Sequence, residues 1–300
     1  MKRYTAAVIA ILLLCTAAGS VSYPQGIDGI KLTSSAGGYE IEYSLPGYNT
    51  ETVTRQGEQY DIISLNNYGI TPDEGLPMLP QLTFILVINK AELSPGFVVQ
   101  NQFVEEKLQQ RKIYPTQAPW EKSKQLKDRP FTVNKDYYST NGSTFNPLVR
   151  ISEPIVIAGV KAVMVTIYPF RYDPSNGKLY VTRTARISIN LPAGMPSYSS
   201  VGGSFREMFD ASAVNPGCIA YTNTNNYLII TPPEYEAAMG PFASYKSSMG
   251  YNVLMVNTGT TGTTTAAIMN YIQQRYNNIS TRPEFILLAG DINMVPEWTG

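Results

Sequence analysis

The chain has 300 residues, of which 43% are hydrophobic and 15% charged, enough apolar material for packed cores and too little charge for a disordered chain. Its 23 Lys and Arg balance its 23 Asp and Glu, which removes the electrostatic case for a nucleic-acid or anionic-membrane partner. It contains no histidine, which excludes a Ser-His-Asp triad, a Cys-His dyad and histidine-bound zinc within these residues.

The N-terminus carries Lys2 and Arg3, then an uncharged, mostly apolar run over residues 6–18, too short to span a bilayer comfortably. Small residues follow, with Ser20 and Ser22 at the expected cleavage positions. Residues 1–22 are therefore expected to be a Sec-type signal peptide that delivers the mature chain to the periplasm, the cell surface or the medium. Cys15 follows Leu14 where lipidation needs a small residue, so a lipid anchor is not expected. Cys218 is the remaining cysteine, so the mature chain has no internal disulfide. With no histidine to activate it, its thiol is read as a small apolar filling rather than a nucleophile.

Residues 39–43, 60–65, 83–88, 96–100, 155–158, 162–168 and 185–190 alternate with period two or are rich in β-branched residues. Asp73-Glu-Gly75, Ser94-Pro-Gly96 and Asp173-Pro-Ser-Asn-Gly177 punctuate them, and Asn176-Gly177 is a hairpin signal. Residues 25–191 are thus expected to form an antiparallel β-sandwich. Residues 192–225, rich in Gly, Ser, Pro and Asn, read as a linker with one short piece, 205–209, able to dock.

From residue 226 the period changes. A continuous apolar strand at 227–230 leads into Thr231-Pro-Pro-Glu234, which reads as a capping box. The helix that follows is expected to bury Ala238, Phe242, Tyr245 and Met249, to kink or restart at Pro241, and to end at Gly250. Residues 253–256 form a second strand, a threonine-rich loop and a helix carrying Ile268, Tyr271, Ile272 and Tyr276 follow, and residues 285–289 form a third. Strands of this kind alternating with helices imply a parallel, doubly wound sheet with right-handed crossovers. Three strands are fewer than the about five or six of such sheets, so the chain is expected to be truncated relative to a functional protein.

Three places could carry chemistry. Asp291 follows the third strand, where open α/β sheets place ligands; it reads as a wall of an active site or a metal ligand, or as a side chain capping its own loop. Thr258-Gly-Thr-Thr-Gly-Thr-Thr-Thr265 reads as a phosphate cradle of a flavin site, or as a loop ending in a threonine N-cap. The basic stretches around Arg111 and Arg129 read as a solvated loop face.

Several segments together resemble the gingipain-type (C25) cysteine peptidase precursors. Asn226-Tyr-Leu-Ile-Ile-Thr-Pro-Pro-Glu-Tyr235, Ser247-Ser-Met-Gly-Tyr251, Ile268-Met-Asn-Tyr-Ile272, Pro283-Glu-Phe-Ile-Leu-Leu-Ala-Gly-Asp291 and Met294-Val-Pro296 are similar to the start of the catalytic domain. Gly75-Leu-Pro-Met-Leu-Pro80, Lys112-Ile-Tyr-Pro-Thr-Gln-Ala-Pro119 and Pro169-Phe-Arg-Tyr-Asp-Pro-Ser-Asn-Gly-Lys-Leu179 are similar to the pro-domain. The resemblance spans roughly residues 25–300 and implies a secreted cysteine endopeptidase zymogen. Its β-sandwich pro-domain would cover the cleft of its own catalytic domain, which would be caspase-like, start at residue 226 and act on protein substrates. The catalytic Cys and His would lie beyond Gly300, so no catalytic residue, cofactor or metal is assigned to this chain, and the 300 residues are expected to be inactive. Such precursors mature after basic residues; between Arg186 and Lys246 the basic residue is Arg206, beside Gly202 and Gly203. Docking of Phe205, Met208 and Phe209 on the sandwich would instead protect that bond, and Arg111 or Arg129 would be the alternative cut. Two other readings are a secreted, non-catalytic β-sandwich binding or assembly module with an α/β remnant, and a flavin protein built on the threonine loop.

Overall fold

In the strand Gly38–Ser44, Tyr39, Ile41 and Tyr43 are buried while the residues between them are half-buried, the period-two pattern of a strand with one face on a core. The computed structural model describes residues 21–22, 27–35, 37–88, 96–107, 111–120, 125, 129–141, 147–190, 196–222 and 224–297. Residues 1–20 of the expected signal peptide, Cys15 among them, lie outside the described residues.

Two antiparallel sheets face each other. The first is organised on the long strand Lys178–Asn190. Along one edge it pairs with Gly96–Lys107; along the other, residues 184–190 pair with Gly38–Ser44 and residues 178–181 with Phe170–Asp173. Ile30–Ser35 and Val21–Ser22 extend the sheet beyond Gly38–Ser44. The second sheet runs Val149–Ile151, Val160–Ile167, Pro80–Val87, Gly69–Ile70, with Ile155–Ile157 also on Val160–Ile167. Ile41, Tyr43, Ile187 and Ile189 from the first sheet meet Phe84, Leu86, Val163, Val165 and Ile167 from the second, all with 1% exposure or less. Each such aliphatic side chain contributes about 1.5–3 kcal/mol of transfer free energy. The antiparallel sandwich expected from the sequence is the observed architecture of these strands.

A third, small sheet packs at one end. Asn49–Arg55 and Glu58–Ser64 pair antiparallel through Gln56 and Gly57, whose φ values of 51° and 82° give the left-handed pair a tight hairpin requires. Lys112–Ile113 joins in parallel, so part of the stretch expected to be a basic loop is a strand, with Ile113 fully buried. Ile63 and Ile113 pack on Phe170, Tyr172, Leu179 and Val181.

Residues 198–222, read from composition as a linker, are folded. Tyr198–Gly202 and Ile219–Thr222 form a parallel pair, and the helix α1 (Arg206–Ser212) lies between them in sequence. Tyr198, Val201, Phe209, Ala213 and Ile219 close over Val87 and Val160, the outer side of the second sheet. Five apolar residues spaced through a Gly-, Ser- and Asn-rich sequence suffice, because the sheet supplies the opposing apolar surface.

The last part is an α/β unit. Its parallel strands lie in the order Asn252–Asn257, Asn226–Thr231, Phe285–Leu288, connected through α2 (Glu236–Ser248), α3 (Thr258–Thr261) and α4 (Thr265–Asn277). Leu228, Ile229 and Ile230 in the central strand are buried, and Leu228 and Ile230 pack with Ile268 of α4 and with Val295. Three local expectations are corrected. Thr231 does not cap α2: it is still in the strand, paired with Asn257, and a 3-10 turn at Pro233–Tyr235 starts the helix without a side-chain cap. The α2 face named from periodicity is largely exposed, Tyr245 by 58% and Met249 by 54%, because the helix covers the sheet mainly through Phe242, whose ring meets Tyr227 edge-on at 6.2 Å. The helix runs unbroken through Pro241. Gly250 ends it as expected, at φ 91°, with Gly250 N–H donating to Ser247 O and Tyr251 N–H to Lys246 O.

Candidate functional site

The junction between sandwich and α/β unit holds the residues of interest. Gly203–Phe205 makes a 3-10 turn that runs directly into α1, and Arg206 is the first residue of that helix. The Arg206 side chain is exposed, with its guanidinium 4.4 Å from the centroid of the Tyr221 ring. Its neighbours Phe205, Met208 and Phe209 all pack into the cluster over the second sheet, and Phe209 is fully buried. The Arg206 backbone is helical (φ −57°, ψ −55°), whereas a protease takes an extended peptide, so the bond after it becomes a substrate only when the start of α1 opens.

That start has no cap of its own. Gly202 and Phe205 precede the two helical segments, and neither makes a side-chain capping bond. The acceptor comes instead from Glu284, in the loop ahead of the strand Phe285–Leu288. One carboxylate oxygen accepts from the Ser204 N–H at 3.1 Å, the other from the Asn225 N–H and the Thr224 hydroxyl, each at 3.1 Å. Burial raises the Glu284 carboxyl, but the hydrogen bonds from Ser204, Thr224 and Asn225 outweigh it and hold the group below its ordinary value. A Cβ at Gly202 would lie 2.8 Å from the Glu284 Cδ, so a side chain there would push the carboxylate from its present place.

The other basic candidates differ. The Arg111 Nε is 3.4 Å from Oδ1 of Asp61, a residue only 2% exposed, and Lys112 pairs with Glu58 at 2.9 Å. The Arg129 guanidinium donates to the Ala118 carbonyl, while residues 121–124 and 126–128 of its basic stretch lie outside the described residues. The Lys246 ammonium lies 5.5–5.6 Å from the ring centroids of Tyr227, Phe242 and Tyr251.

At the carboxyl ends of the parallel strands, Asp291 is exposed; its carboxylate accepts from the Ile292 N–H at 2.6 Å and its carbonyl from Met294 and Val295. It thus orders its own loop. Among the described residues no group of three or more Cys, Asp or Glu side chains is placed to hold a metal ion. The threonine loop is partly helical as α3; Thr258 and Thr261 are buried, and Thr264 caps α4 by accepting from the Ala267 N–H at 3.2 Å, so these hydroxyls do not gather round an anion. Cys218 donates to the Asn215 carbonyl, and burial pushes its thiol up to about 12, the opposite of an activated nucleophile.

Arg206 and Glu284 are therefore brought to one junction; Cys218 packs in the same apolar cluster as Phe205 and Tyr221, and Asp291 orders its own loop. Glu284 carried no signal in the sequence: it is a lone acid in a loop, and only the fold shows that its partners lie 59 to 80 residues upstream.

Residues 28–204 match the family model Propeptide_C25, and residues 220–299 match that of peptidase family C25. Among similar curated proteins, Gingipain R2 of Porphyromonas gingivalis (strain ATCC BAA-308 / W83) is 23% identical over 239 residues, 75% of this chain and 32% of the relative. Gingipain R1 of Porphyromonas gingivalis is 22% identical over 241 residues, 75% of this chain and 23% of the relative. The chain thus spans at most about a third of the length of these relatives. Two solved Porphyromonas gingivalis structures are similar. One describes the zymogenic latency of gingipain K (TM-score 0.46, 19% identity, 59% of this chain and 99% of that one). The other is a complex of RgpB pro- and mature domains (TM-score 0.49, 17% identity, 64% and 99%).

Proposed function

The chain belongs to the C25 family, with its propeptide followed by the start of its peptidase domain, and from this premise we propose that it is the front of a secreted cysteine endopeptidase zymogen whose pro-domain keeps the enzyme latent. The order of the two family matches on one chain carries this reading, and it weighs against a binding module without chemistry. In this proposal residues 25–191 are the pro-domain, 192–225 the junction and 226–300 the start of the catalytic domain. The catalytic histidine comes from outside these residues, since they contain none. Residues 1–22 export the precursor, and no described helix is long and apolar enough to cross a membrane. The pro-domain's partner is its own catalytic domain, and the enzyme's substrates are proteins. Activation cuts the junction after Arg206, an exposed arginine between the two units, and leaves Glu207 as the new N-terminus. Asp291, at the carboxyl end of the third parallel strand, would stand at the edge of the cleft.

The test compares a precursor that includes the remainder of the peptidase domain before and after removal of residues 25–191. Hydrolysis of peptides is expected only after removal. Full activity of the uncut precursor would show that the pro-domain does not confer latency.

A further inference from the structure

We infer that Glu284 is the clasp of the junction: a carboxylate from the peptidase side that caps the start of α1 from outside and so controls access to the bond after Arg206. The inference rests on the reading of Arg206 as the maturation site. A helix start leaves N–H groups without intrahelical partners, and a side-chain acceptor there stabilises the first turn. Here Gly202 and Phe205 stand where a Ser, Thr or Asp would cap the turn and the helix, and Glu284 accepts from Ser204 two residues ahead of Arg206. Its negative charge also suits the positive end of the helix. The same carboxylate ties down Thr224 and Asn225, where the chain enters the central parallel strand, so one group binds both ends of the segment that activation must release. Phe205, Met208 and Phe209 dock α1 on the sandwich, but around the carboxylate itself packing is loose: beside it lies a cavity of about 140 Å³, between Ala158 and Phe205 on one side and Tyr276 and Ile279 on the other.

Glutamate is the residue this arrangement needs. Three donors converge on two oxygens; an amide would turn an NH2 group against at least one of them, and an alanine would leave all three without this acceptor. Losing the clasp frees the turn at 203–205 to unwind, which extends the chain across Arg206 and presents it to an arginine-directed protease. Cleavage of a locally opened segment follows the opening equilibrium when opening and closing are fast.

The experiment uses the whole 300-residue chain and its Glu284→Gln, Glu284→Ala and Thr224→Val variants, the last removing one donor without touching α1. Trypsin cleavage after Arg206 is timed by N-terminal sequencing, and hydrogen exchange is followed in peptides covering 202–209 and, as a core reference, 160–167. Both Glu284 variants are expected to be cut after Arg206 about tenfold faster, the size of a lost helix cap, and to exchange faster in 202–209 with 160–167 unchanged. Thr224→Val is expected to fall between them and the parent chain. Equal cutting and exchange in all four proteins would overturn the clasp. If the Glu284 variants loosen 160–167 as well, Thr224→Val decides, and no change there in 202–209 also overturns it. Faster cutting in the variants, combined with a natural mature N-terminus other than Glu207, would leave the clasp standing and discard Arg206 as the maturation site.

Discussion

Asn215 has no exposed surface, yet its side chain carries three hydrogen bonds. Its oxygen accepts from the Val87 N–H at 2.9 Å, and its nitrogen donates to the Val87 carbonyl at 2.9 Å and to the Tyr39 hydroxyl at 3.2 Å. The amide stands in for a neighbouring strand, supplying both halves of a peptide pair on the edge of Val87 that faces away from Val160–Ile167. Asn215→Ala leaves two buried backbone groups unpaired and is expected to lower stability by about 2–4 kcal/mol. Urea unfolding checks this, with a lower midpoint at unchanged slope as the expected result. Glu284 makes a prediction of its own. Its folded pKa lies below the unfolded one, so its contribution is complete above the ordinary glutamate range and is lost as pH falls through the folded value. Exchange in residues 202–209, corrected for intrinsic rates, should therefore be the same at pH 7 and pH 5 and should rise only below about pH 4. A rise already at pH 6 would contradict this assignment.

Elements that obey a simple period were legible: Gly38–Ser44, Pro80–Val87, Val160–Ile167 and the central parallel strand all show in the sequence because burial alternates or is continuous along them. Asn49–Arg55 was not, since its residues are mostly exposed and the hairpin at Gln56 and Gly57 sets its pairing with its neighbour. The failure at residues 198–222 has a different cause. Their strands are short and their apolar residues sparse, and what holds them is the outer side of a sheet formed more than a hundred residues earlier in part, as in the Tyr198 hydroxyl that donates to the Ile88 carbonyl at 2.7 Å. The candidate site followed the same division: Arg206 could be named from the scarcity of basic residues around it, whereas its partner Glu284 depends on tertiary approach. At this scale we expect a fragment of residues 27–222 to melt higher than one of 27–190, by about 5 °C or more, because the shorter one bares Val87 and Val160. Calorimetry of the two fragments decides it; equal melting temperatures would mean that the added segment contributes nothing to the sandwich.

Across the molecule, the outer side of the second sheet is covered around Val87 and Val160, but the α/β unit is not covered at one edge. Phe285, Ile286 and Leu288 in the edge strand are 37%, 42% and 48% exposed, where parallel strands are ordinarily buried on both faces. Exposed apolar edges pair with other chains, so the 300-residue protein is expected to self-associate with rising concentration and Ile286→Lys to reduce this. Sedimentation velocity over a tenfold concentration range is the measurement, and a monomer throughout would refute the expectation. The clasp has a consequence in time as well as in space. Glu284 follows Ser204 by 80 residues, and a ribosome adds about 5–20 residues per second, so some 4–16 s separate the two in a growing chain. During that interval α1 exists without its acceptor. A precursor is thus most open to premature cutting when it is youngest, and the arrival of its third parallel strand marks the moment at which the bond after Arg206 closes.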